Sequence, residues 1–149
     1  MPNFRFRVDV TDLDRDLTQR LRRWERLASQ ALFATAEEAL VAARRTTLFR
    51  DVTGKLRSSM LSVPKNFFLV QLQANTKYAS CVHDGTEPHT ISAKGGGFLR
   101  FQVGGRWASV RSVQHPGTTA RPFLFESAQN AMADLAHRIE DVTERAFNE

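Results

Sequence analysis

Cys81, His83, His89 and His115 fall within one third of the chain, with Asp84 and Glu87 among them. These are the residue types that bind metals or carry out acid, base and nucleophilic chemistry, so their spacing comes first. Cys-x-His is not a usual structural zinc pair, and the chain has no second cysteine to complete one. On a helix Cys81 and His83, two apart, point in different directions. A Cys–His nucleophilic pair would therefore need His89 or His115 brought in by the fold, and a small buried cysteine is the simpler reading of Cys81. Asp84 and Glu87 are the acids between Val52 and Arg121. Flanking Gly85, they suit turn closure better than an acid/base pair. Gly54-Lys55 invites a phosphate-loop reading, but that motif needs a Gly five residues before the pair and a Ser/Thr directly after it. Phe49 and Leu56 stand there instead. No acid, base and nucleophile converge, so the expectation is no catalytic set, no metal and no cofactor.

Basic residues make a second constellation. Lys94, Arg100, Arg106 and Arg111 interleave with Phe98, Phe101 and Trp107. Arginine and aromatics on one sheet face can stack single-stranded bases. Phe101 and Arg100, however, alternate onto opposite faces, and a half-buried sheet with a basic outer face is the simpler arrangement. The net charge of +5 is unevenly spread: residues 51–121 hold nine Lys/Arg against three Asp/Glu, whereas 122–149 hold two against six. A basic middle and an acidic C-terminal segment predict complementarity within the chain or head-to-tail packing between copies. The basic middle also suits proximity to phosphates.

The elements that must position these residues follow from periodicity. Phe4, Phe6, Val8 and Val10 alternate with charged residues, predicting a short N-terminal strand or arm over 1–10. Thr11 or Asp12 then offers a helix N-cap. Apolar positions from Leu13 through Leu17, Leu21, Trp24 and Ala28 to Ala43 recur every three or four residues. They predict one long helix, or two with a bend near Ser29, ending around Phe49. Such a helix outruns a 149-residue domain, so part of its stripe calls for another subunit. Asp51–Met60 reads as a turn and one helical turn capped by Thr53. Residues 67–75 read as a strand, 77–84 as a short helix stopped by Gly85, and 89–93 as strand-like. Residues 94–106 form a glycine-rich mobile loop and the start of a hairpin turning at Gly104-Gly105. Pro122 opens a C-terminal helix of about 25 residues. Clustered strands between helices predict an α+β domain spanning 1–149: a long N-terminal helix on a small antiparallel sheet, a short inserted helix and a C-terminal helix.

No apolar run approaches the roughly 20 residues of a membrane span, and the start MPNFRFRVDV lacks the apolar core of a signal peptide. Together with the single cysteine, this predicts a protein made in a reducing cytoplasm.

The stretch HPGTTARPFLFES, His115 to Ser127, places a sharp corner before the last helix. Arg121, preceding Pro122, is pushed toward extended backbone. It lies at the positive end of the following helix, so its partner is expected to be a carboxylate elsewhere, in this chain or in another copy. Gly117 permits the bend, and Phe123 and Phe125 are expected to pin the helix to the sheet or to a partner.

Three segments in order, TGKLRSSM, NTKYASCVHDGT and HPGTTARPFLFESAQ, resemble the tail-completion (neck) proteins of long-tailed bacteriophages. That family's Gly-x-Leu-x-x-Ser segment falls on Gly54, Leu56 and Ser59. Its Tyr-Ala…Gly-Thr segment falls on Tyr78, Ala79, Gly85 and Thr86, and its Ala-Arg-Pro-Phe segment with a following Leu or Met on Ala120, Arg121, Pro122, Phe123 and Leu124. The resemblance spans roughly residues 30–145 and departs at His83-Asp84, where relatives more often carry an acid followed by an aromatic or small residue. It implies a non-enzymatic virion part, a hexameric ring around the DNA channel that completes the head-proximal end of the tail or joins it to the head. Its implied partners are copies of itself, tail-terminator and head-closure or connector proteins, and genomic DNA passing through non-specifically, with no membrane. It also implies docking roles for Tyr78, Gly85, His115, Gly117, Arg121, Pro122 and Phe123, and channel or neighbouring-ring contacts for Lys94, Arg100, Arg106 and Arg111. Two other classes compete: a stand-alone basic nucleic-acid-binding module, and a small hydrolase using His83, His89 or His115.

Overall fold

Alanine, leucine, arginine and glutamate dominate residues 11–45, and these helix formers build one unbroken helix, α1 (Thr11–Arg45). The computed structural model describes residues 9–148, so the first eight positions of the expected N-terminal strand lie outside the described residues. At the helix start the cap position belongs to Val10, not to Thr11 or Asp12. The Asp9 carboxylate instead accepts the Thr11 N–H at 3.0 Å and the Thr11 hydroxyl at 2.6 Å, bonds that hold the Asp9 carboxyl below its usual range. Acidic Asp12 and Asp14 in the first turn, and Arg44 and Arg45 in the last, complement the helix dipole. Nothing bends the helix at Ser29, which is buried within it.

After α1 the chain forms a short helix α2 (Lys55–Ser58), strands β1 (Met60–Asn66) and β2 (Leu69–Ala74), and a short helix α3 (Ala79–His83). Strands β3 (His89–Ser92), β4 (Leu99–Val103), β5 (Arg106–Val110) and β6 (Ser112–His115) follow, and then helix α4 (Phe123–Phe147). The chain is an α+β mix. Its antiparallel region is divided into three two-stranded ladders, β1–β2, β3–β6 and β4–β5.

Helices α1 and α4 run antiparallel along one another. The Arg20 guanidinium donates to the Phe147 carbonyl, Trp24 Nε1 donates to Thr143 Oγ1 at 3.0 Å, and Arg138 reaches Glu38 at 2.6 Å. Small residues at the seam, Ala28, Ser29 and Ala39 on α1 with Ser127 and Ala146 on α4, are buried. The core lies at the C-terminal end of α1, where Leu40, Ala43, Phe49, Leu56, Met60, Ala79 and Phe123 form one cluster. Toward the N-terminal end of α1, Leu13, Leu17 and Leu21, four residues apart and so on one helix face, are exposed.

Two strands escaped the sequence reading. β1 carries Pro64, a residue that argues against a central strand, but in a two-stranded ladder every strand is an edge and a missing N–H is tolerated. β6 was hidden because its four residues lead straight into Pro116-Gly117, and His115, expected to open the turn, is the last residue of that strand. The Gly95–Gly97 segment holds a short 3₁₀ turn over Lys94–Gly96. At Gly104-Gly105 both φ values are positive, 57° and 81°, as a two-residue type I′ hairpin turn requires.

Candidate docking interface

The corner before α4 is built by two glycines on either side of a backbone bridge, each packed against the opposite segment. Thr86 and Thr118 exchange N–H···O bonds of 2.9 and 3.0 Å, continuing the register in which β3 pairs with β6. A Cβ on Gly117 (φ 87°) would lie 3.0 Å from the Glu87 carbonyl carbon and closer still to the Thr86 carbonyl oxygen. A Cβ on Gly85 (φ 77°) would meet the Thr118 oxygen at 2.5 Å and the Ala120 nitrogen at 2.7 Å. Only glycine fits at either place. From the bridge the chain runs to Arg121, whose N–H donates to the last carbonyls of α3, Val82 and His83, at 3.1 and 3.0 Å. Pro122 takes the cap position of α4, one residue before the first turn where the sequence places it.

Phe123 is fully buried. Its ring packs on Phe49 at a centroid distance of 4.9 Å and stands edge-to-face with His83 at 5.3 Å. Phe125, expected to help pin the helix, instead points outward and is 62% exposed; two helical positions beyond Phe123 lie on nearly the opposite face. Within the chain the Arg121 guanidinium donates to the Leu48 carbonyl rather than to a carboxylate.

A second arginine joins it there. Arg57 of α2 lies over the Phe49 ring at 4.7 Å and donates to the carbonyls of Arg44, of Thr46 at 2.7 Å and of Phe49 at 3.3 Å. Two guanidinium groups thus take up carbonyls at and just after the negative end of α1. The Arg57 role was not legible in the sequence, since nothing local marks one arginine as the cap of a helix that ends twelve residues earlier. The same turn is closed by Asp51, which accepts the Arg57 N–H at 2.8 Å, while the expected cap Thr53 accepts from Lys55 at 3.4 Å and Gly54 holds the cap position.

The histidines are dispersed by the fold into separate structural pairs. His83 Nδ1 lies 2.6 Å from Asp84 Oδ1. His89 and His115 face each other across the β3–β6 ladder with ring centroids 5.1 Å apart. His89 Nδ1 donates to the Glu87 carbonyl at 2.8 Å, and His115 Nδ1 accepts the Gly117 N–H at 3.1 Å. Cys81, read as buried, is exposed, because α3 is a single helical turn with only Ala79 buried. Tyr78 stands at the N-cap of that turn and is also exposed. Among the described residues no group of three or more His, Cys, Asp and Glu gathers where a metal ion could sit.

The basic residues divide. The β4–β5 register pairs Arg100 with Ser109 and Gln102 with Trp107. Trp107 therefore shares the face of Arg100, and the two form a pair with the guanidinium 6.0 Å from the ring centroid. Arg111 likewise lies over Phe98 at 5.8 Å. Phe98 and Trp107 are 60% and 67% exposed, so this ladder face presents two open aromatic rings, each with an arginine. Arg106 pairs with Val103 on the opposite face, and Lys94 sits apart in the 3₁₀ turn. Stacking and charge thus share one surface, through Phe98 and Trp107 rather than Phe101. The two-residue turn at Gly104-Gly105 was the available signal, since it dictates the register that brings Trp107 beside Arg100.

No helix among the described residues is long and apolar enough to cross a membrane. No family model, curated protein or solved structure matches the chain. Chemically, the arrangement can hold a rigid corner and present contact surfaces around it.

Proposed function

We propose that this chain is a structural, non-enzymatic component of the neck of a long-tailed bacteriophage. It is made in the host cytoplasm and built into the virion, where it completes the head-proximal end of the tail or joins tail to head as a hexameric ring around the DNA channel. Its partners are copies of itself and the tail-terminator and head-closure or connector proteins, with genomic DNA passing through non-specifically. The observation that carries the reading is the meeting of Leu56, Ala79 and Phe123 in one buried cluster. Each comes from one of the three segments that resemble this family, so those segments build one device: a corner that sets α4 against α1. Exposed Leu13, Leu17 and Leu21, together with the separation of basic and acidic segments, support self-assembly.

The test is electron microscopy of lysates from a phage carrying a stop codon in this gene. Filled heads beside separate tails, joined again on adding the purified protein, are expected. Joined and infectious particles without the protein would overturn the reading.

A second reading, a stand-alone basic nucleic-acid-binding module, is favoured by the open Phe98/Trp107 face with its arginines. It predicts salt-sensitive oligonucleotide binding by the isolated chain, lost on neutralising Arg100, Arg106 and Arg111.

A further inference from the structure

We infer that the aromatic–arginine face of the β4–β5 ladder docks on the outer face of α4 of a second copy of this chain. Within one chain α4 packs chiefly on α1 and the ladder pairs chiefly with itself. Each leaves a face open. On the ladder, exposed Phe98 lies beside Arg111 and exposed Trp107 beside Arg100, all on one face. On α4, Met132, 62% exposed at the rim of a groove it shares with α1 and β2, leads one turn on to exposed Ala136 and then to exposed Glu140 and Glu144.

The spacings agree as well as the charges. Arg100 is paired with Ser109, two residues before Arg111, so the arginines lie about 7 Å apart along the ladder. Glu140 and Glu144 lie one turn apart, about 6 Å along the helix. Two aromatics, each with an arginine beside it, meet a helix face that leads from Met132 and Ala136 into two carboxylates, the composition of an interface anchor. Duplex or single-stranded nucleic acid would satisfy the ladder but leave the α4 face uncovered, whereas a second copy covers both with one contact. The surfaces differ, so the contact is heterologous: each copy offers one and receives the other, and the series closes into a ring or continues as a filament. The inference rests on the neck reading only for that closure. Self-association of the purified chain is read without phage, so either can fail alone.

The experiment is sedimentation velocity of the full-length protein over a concentration series, with two double variants, Arg100→Glu/Arg111→Glu and Glu140→Lys/Glu144→Lys. All four positions are exposed, and circular dichroism reports whether each variant keeps its fold. The unaltered protein is expected to self-associate and each variant to do so about a hundredfold more weakly or less, through like charges brought together. Mixing the two variants restores association, because each reversed face then meets its opposite. A protein monomeric throughout, variants that associate normally, or a mixture that stays monomeric would overturn the inference. Binding of a dT20 oligonucleotide abolished by Arg100→Glu/Arg111→Glu while self-association persists would overturn it in favour of nucleic acid.

Discussion

Phe123 is the residue on which the corner turns. Fully buried against Phe49 and His83, it fills the place where α1, α2, α3 and α4 come together. Truncation to alanine leaves a cavity there, and Phe123→Ala is expected to lower stability by about 3–5 kcal/mol in urea denaturation. A loss under about 1 kcal/mol would mean that the corner does not depend on it. Gly117 tests the corner from the other side. Gly117→Ala and Gly96→Ala both force an L residue into positive φ, at about 1–2 kcal/mol each. Only Gly117 also drives its new Cβ into a neighbouring backbone, for nothing lies within 4 Å of the position at Gly96. Thermal denaturation should show Gly117→Ala melting well below Gly96→Ala, and equal melting would remove the close approach as a constraint.

At the scale of elements the pairing of α1 with α4 dominates. Its polar links are partly solvated: Arg138 and Glu38 keep side-chain exposures of 33% and 55%. Such a pair contributes at most about 1 kcal/mol, since water competes for both charges. The apolar seam is different, and Leu40, 3% exposed, has no solvent to return to without unfolding. Glu38→Ala is therefore expected to cost less than about 1 kcal/mol and Leu40→Ala about 2–5 kcal/mol, compared by chemical denaturation. A reversed order would place the stability of the helix pair in its ion pairs. The ladders stand in contrast. β4–β5 is held by its own backbone bonds and by half-buried Leu99 and Phe101. With little of it packed on the helices, its outer face remains open for a partner.

For the molecule as a whole, the separation of charge is the property that matters most. In the proposed contact the basic face of the ladder meets the acidic face of α4 of another copy, and exposed charges are screened over about 10 Å at 0.1 M salt. Self-association should therefore weaken as salt is raised from about 50 mM to about 500 mM, as followed by sedimentation. Association unchanged or strengthened by salt would point instead to an apolar contact alone, with Leu13, Leu17 and Leu21 as its nearest source.

How much could be read before folding depended on whether a signal was local. The long helix, the hairpin at Gly104-Gly105 and the αL stop at Gly85 are written in neighbouring residues, because period, propensity and positive φ act over a few positions, whereas the choice between one helix and two bent near Ser29 stayed open. The α+β class follows from the order of those signals. Tertiary structure alone decided that Arg57 and Arg121 both reach the end of α1, and that Gly85 and Gly117, far apart in the chain, flank one backbone bridge. It also decided that Phe123 is sealed in against Phe49 and His83. Each of these depends on which distant segment arrives opposite a residue. Packing settles that for the whole chain at once, and it leaves no mark on the residues next door.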